Sequence, residues 1–163
     1  MMKLIAVVAI AFGVAAAQTE MPEQAKRGME AFLNTSKGTA CGTCHSLAGK
    51  GMEVGPDLTR LSRVPPRGFV AAIKSTVTQY VQMVELKDGS PFPGIQKDKQ
   101  WWDLSKRPPE LRQGQVEKTS PNSKWTHPPA NTDYSNRELA DIIAYVKWVG
   151  YKSVVAIEPE ELE

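Results

Sequence analysis

The sequence predicts a mostly α domain with a small antiparallel β insertion. Three observations carry this reading. Apolar residues recur at helical spacing near both ends of the chain, at Ala25, Met29, Phe32 and Leu33 and again at Leu139, Ile142, Ile143, Val146 and Val149. The second run follows Ser135-Asn136-Arg137-Glu138, a capping box. Between the two, residues 80–119 break into short apolar runs separated by turn residues. With 163 residues, 41% of them hydrophobic and 23% charged, the chain is long enough for one domain with its own core.

The elements follow in order. Met1-Met2-Lys3 gives a positive start, residues 4–17 are apolar and uncharged, and Ala15-Ala16-Ala17 precedes Gln18 as a small-residue cleavage site. Residues 1–17 thus read as a secretory signal peptide outside the fold. The apolar run is shorter than the roughly 20 residues a membrane span needs. A mature chain with no stable membrane insertion is expected, and no cysteine at the cleavage site offers a lipid anchor. The domain proper covers residues 18–150. Its first helix is expected over residues 22–34, with Pro22 in the first turn. Gly28 interrupts it at a cost of about 1 kcal/mol against Ala, which points to a close helix crossing. A polar loop at 35–40 follows, and the Gly and Pro content of residues 46–58 marks wrapped loop. A second helix is expected over 66–76, with Phe69, Ala72, Ile73 and Val77 on one side. In the insertion, Val81, Met83, Val84 and Leu86 lead to a Lys87-Asp88-Gly89 turn, then to runs at 91–95, 101–104 and 115–118. Pro91 and Pro93 argue for an edge strand or loop there. Residues 120–133 read as loop. The last helix starts at the capping box and is closed by Gly150. Residues 151–163 form an acidic tail with Glu158, Glu160, Glu161 and Glu163, expected to fray.

The chemistry centres on Cys41-Gly42-Thr43-Cys44-His45. This spacing is the attachment signature of c-type haem: two thiols one helical turn apart join two vinyl groups, and the next residue offers its imidazole to the iron. A zinc site needs about four ligands, whereas the chain has two cysteines and two histidines, the second being the distant His127. A thioredoxin-type motif belongs in a βαβ pattern, and none precedes this one. A plain disulfide leaves His45 unexplained. One covalent haem c through Cys41 and Cys44 uses both thiols. Its attachment outside the cytoplasm agrees with export to the periplasm. A net charge of +2 without a basic cluster implies no nucleic-acid partner.

These pieces together resemble the class I cytochrome c family, in its small bacterial mono-haem branch. Residues 80–119, with Leu86-Lys87-Asp88-Gly89, resemble the β insertion of a sub-branch that carries it before the distal-ligand loop. The resemblance implies that the first and last helices cross where Gly28 meets Tyr145. It implies that Pro56, in Val54-Gly55-Pro56-Asp57-Leu58, accepts a hydrogen bond from His45. The family usually supplies a distal Met from the loop before the last helix. After the signal peptide this chain has only Met21, Met29, Met52 and Met83, none of them in that loop. Where the family shows Met-Pro, His127-Pro128 stands. His127 is therefore the leading distal ligand beside His45, with Met83, a lysine such as Lys124, water or an open position as alternatives. The implied function is a periplasmic carrier of single electrons, not an enzyme, whose partners are dehydrogenases, oxidases or other cytochromes. A haem sensor or peroxidase-like protein with a displaceable distal ligand is the alternative. Trp101, Trp102 and Trp125 belong either to a docking surface or to packing.

Overall fold

Helices α1 (Glu23–Leu33), α2 (Pro66–Lys74) and α3 (Asn136–Tyr151) surround the motif. They come from a computed structural model that describes residues 20–74, 80–122, 125–128 and 134–163. The expected signal peptide 1–17, Val77 at the end of the expected second helix, Lys124 and Pro129 lie outside the described residues.

The frame is the crossing of α1 on α3. A Cβ at Gly28 would overlap the backbone carbonyl of Asp141, so only glycine lets the two helices approach this closely. Arg27 then grips the buried Asp141 carboxylate through two parallel hydrogen bonds, each 2.9 Å. The atoms nearest Gly28 belong to Asp141 and Ile142. Tyr145, one turn further along α3, is buried in the same core and meets Phe32 of α1 edge to face, ring centres 6.0 Å apart. At the start of α3, the Ser135 hydroxyl accepts from the Glu138 N–H while the Glu138 carboxylate accepts from the Ser135 N–H. Gly150 does not close the helix. It lies inside α3 against Ser62, and the left-handed Lys152 is the cap. Nearby, the buried Lys147 ammonium donates to the Ser62 and Val64 carbonyls at 3.2 and 3.0 Å, tying α3 to a 3-10 segment, Leu58–Arg63.

The expectation of a mostly α domain is overturned. Of the described residues 37% are helical and 22% are in strands. A two-stranded hairpin, β1 (Ser46–Leu47) with β2 (Lys50–Gly51), follows the motif. An antiparallel sheet then holds β3 (Gln82–Leu86), β4 (Pro91–Lys97), β5 (Gln100–Asp103), β6 (Glu110–Arg112) and β7 (Val116–Pro121), in the order β6-β5-β4-β3-β7. The class I fold with a minor β insertion therefore understates the strand content. The cause is sequence texture: β6 is three residues long and β7 is almost wholly exposed, so neither alternates visibly.

Pro91 and Pro93 are not on an edge strand, because β4 lies between β3 and β5. The Pro93 carbonyl points toward the β5 side, where it accepts from the Leu104 N–H at 2.8 Å. Both proline nitrogens face that side too, and β5 pairs with β4 only from Gly94 onward. The missing N–H groups thus fall where no partner strand needs them. Trp101 and Trp102 point to opposite faces of β5. Trp101 packs with Val84, Leu86 and Phe92, whereas Trp102 joins Trp125 around Val54, Val81 and Leu104.

The acidic tail does not fray. Ile157 and Leu162 are buried in the helical core. Gln24 holds the segment by donating to the Ile157 carbonyl at 2.7 Å and accepting from its N–H at 3.0 Å.

Candidate functional site

The motif begins in a 3-10 turn, Cys41–Thr43. The Cys44 and His45 N–H groups both donate to the Cys41 carbonyl, at 3.2 and 2.9 Å. This tight winding turns both thiols and the imidazole to one side, into a cavity of about 660 Å³. Gly42 lets the turn sit on α1, since a Cβ there would lie 2.8 Å from Leu33 Cδ2. The following loop wraps back through Met52 N–H to Gly42 carbonyl (2.8 Å) and Gly55 N–H to Cys44 carbonyl (2.6 Å).

The wrap delivers Pro56. Its carbonyl accepts from His45 Nδ1–H at 2.7 Å. That bond fixes the tautomer and leaves the Nε2 lone pair free for a metal. Gly55 allows the ring its place, because a Cβ there would lie 2.8 Å from His45 Cε1. Asp57 steadies the far end, accepting from Ser46 Oγ at 2.9 Å and from Thr59 N–H at 2.8 Å.

Across the cavity stands His127. Its ring centre lies 6.0 Å from that of His45, with the planes tilted by 35°. Trp125 meets it edge-on at 6.3 Å. His127 Nδ1 is buried with no hydrogen-bond partner among the described residues. Burial holds both imidazoles below the usual histidine range. The Pro56 carbonyl pulls His45 the other way, while the neighbouring His45 pushes His127 further down. Both rings are thus neutral near pH 7, with lone pairs available. Met83 is exposed on β3 and is not part of the cavity wall.

The donors and walls fit a haem. Burial pushes the Cys41 thiol up to about 11, so it stays neutral. A zinc ligand or reactive thiol needs the thiolate, whereas a thioether carries no charge. Among the described residues no group of three or more His, Cys, Asp or Glu could hold a bare metal ion. The walls are apolar, with Val54, Leu58, Phe69, Val81, Ile95 and Leu104 prominent. They suit a large flat apolar group whose centre needs nitrogen ligands.

The family model of cytochrome c matches residues 25–150. The chain belongs to the cytochrome c family. No curated protein matches it. A cytochrome c carries its haem covalently and serves electron transfer, and Cys41 and Cys44 stand at the spacing for the two attachments. In this cytochrome the sheet and its flanks help wall the cavity through Ile95 on β4, Val81 just before β3 and Leu104 just after β5, and the loop after β5 adds Arg107. None of these had a signal in the sequence, because each reaches the site by tertiary pairing rather than local spacing. Tyr134 and Leu139, flanking the start of α3, close another side.

Proposed function

We propose that this cytochrome holds a single haem through Cys41 and Cys44, with His45 and His127 as the axial pair. It carries one electron at a time between periplasmic redox proteins once the leader is removed, and it turns over no substrate of its own. The observation that carries the axial assignment is the spacing of the two imidazoles. Two metal–nitrogen bonds of about 2 Å, with ring centres roughly 1 Å further back, separate the centres by about 6 Å. The observed 6.0 Å matches that span. When bound, the haem supplies the ferric–ferrous couple. The chain's own residues do the rest. Pro56 keeps the His45 ring oriented, Trp125 buttresses His127, and the apolar walls exclude water, which keeps reorganisation small when the charge changes.

Two measurements test the proposal. A pyridine haemochrome assay is expected to give one haem per chain. Electron paramagnetic resonance of the ferric protein is expected to give a low-spin bis-imidazole signal, and the reduced protein should bind no carbon monoxide. A high-spin ferric signal with rapid carbon monoxide binding would move the protein to the sensor or peroxidase class, where the distal position is open.

A further inference from the structure

A porphyrin with two carboxylates brings negative charge into this cavity, and the walls contain few groups to meet it. Among the described residues three charged side chains line it: Asp57, Arg60 and Arg107. Asp57 is committed to Ser46 and Thr59. Burial works upward on its carboxyl, but those hydrogen bonds and the adjacent Arg60 charge hold it below its ordinary range. Arg60 is therefore offset locally by Asp57. Arg107 has no such counter-charge among the described residues.

Arg107 is also held in place. Its loop is pinned by the Asp103 carboxylate, which accepts from Ser105 N–H at 2.8 Å and Ser105 Oγ at 2.6 Å. Leu104 N–H donates to the Pro93 carbonyl at 2.8 Å. Arg107 Nη1 donates to the Leu104 carbonyl and, at 2.9 Å, to the Lys106 carbonyl. Its Nε and Nη2 have no hydrogen-bond partner among the described residues. The guanidinium charge is felt on both sides of the cavity. Burial raises the Cys44 thiol and lowers His127, and Arg107 opposes the first and adds to the second.

We infer that Arg107, presented by the sheet's β5–β6 loop, binds a carboxylate of the haem through its open guanidinium edge. The inference deepens the proposed function and rests on a haem in this cavity, not on the identity of the axial pair. A guanidinium with one nitrogen anchored to carbonyls and two N–H groups open suits a carboxylate better than an ammonium does. It also gives the sheet a role in the cofactor site beyond apolar cover. A cation held near the iron disfavours the ferric state, so Arg107 raises the reduction potential.

The test is a redox titration of the haem-loaded full chain as wild type, Arg107→Gln and Arg107→Lys, with ferric electron paramagnetic resonance on each. Arg107→Gln is expected to shift the ferric–ferrous equilibrium about tenfold toward ferric, the scale of one unit charge about 12 Å away at an effective dielectric of about 20. Arg107→Lys keeps the charge and is expected to recover most of the shift. The axial signal should be the same in all three. An unmoved potential in Arg107→Gln overturns the inference. So do equal shifts in the Gln and Lys variants, which would mean that Arg107 only orders its loop. A wild-type signal that is not bis-imidazole defeats the axial assignment alone, since the contrast between Gln and Lys still reports on Arg107.

Discussion

Gly28 on α1 lies directly against the backbone carbonyl of Asp141 on α3, with no room for a methyl group between them. The obstruction is backbone, which cannot rotate away as a side chain can. Gly28→Ala gains about 1 kcal/mol of helix propensity, yet it overpacks the crossing, which costs typically 1–3 kcal/mol and more where the backbone must shift. The Arg27–Asp141 bonds beside it would be strained as well. A net loss of about 1–2 kcal/mol in urea denaturation is expected. An unchanged midpoint would show that the helices are not in contact here.

That crossing was partly legible in the sequence. An interior glycine in a helix signals close approach, but its partner is not local, and only the structure shows that the atoms nearest Gly28 are the Asp141 backbone. The helices were legible because their apolar spacing and the Ser135–Glu138 cap are local. The weight of the sheet was not, because strands such as β7 gain order from pairing with β3 and carry little alternation of their own. In the site, Cys41, Cys44, His45 and Pro56 are within sixteen residues of one another and could be read together. Arg107 and the sheet's apolar wall reach the cavity only through register.

The tail provides a second prediction. Ile157 and Leu162 are buried, and Gln24 clips the segment to α1. Burying each side chain is worth about 1.5–3 kcal/mol. Deleting residues 157–163 is expected to lower stability by about 3 kcal/mol or more, read as a fall in the denaturation midpoint. A silent deletion would restore the frayed tail that the acidic composition suggests.

The capping box sets an acid limit. Lys37 lies 2.6 Å from Glu138, and with the Ser135 hydrogen bonds it lowers the Glu138 carboxyl from 4.5 to about 2. A depressed carboxyl stabilises the fold above its unfolded value, and that stability is lost as pH falls through the folded value. The contribution is thus complete above about pH 4.5 and disappears toward about pH 2. The side chain is 30% exposed, so screening limits the effect to about 1 kcal/mol. Glu138→Gln should be less stable than wild type at pH 7, and the gap should narrow at pH 3. A gap independent of pH would rule out the ionised pair as its source.

Gly55 guards the proximal side. A Cβ there would sit 2.8 Å from His45 Cε1 and 2.9 Å from Nδ1. Gly55→Ala should push the ring and lengthen its bond to the Pro56 carbonyl, a type of contact whose loss costs metal sites 10–100-fold in affinity or activity. Lower haem occupancy and an altered ferric resonance spectrum are the expected readouts. Normal occupancy with an identical spectrum would mean that the loop absorbs the methyl without moving His45.

His127 gives the sharpest prediction. Its ring faces His45 at ligand spacing, its Nδ1 is buried without a partner, and burial keeps it neutral. A buried ring nitrogen without a partner is unfavourable unless something else uses it. Coordination through the ring is the use that also explains the 6.0 Å separation. His127→Ala should therefore open the sixth position: the ferric protein becomes high-spin, the Soret band shifts, and the reduced protein binds carbon monoxide. His127→Met should remain low-spin and show a higher potential, because Met/His ligation raises it. Met83→Ala should change neither spectrum, since Met83 stands exposed on β3 outside the cavity wall. If His127→Ala keeps the wild-type spectrum while Met83→Ala alters it, the distal ligand is Met83 and β3 must turn that side chain inward when the haem is attached.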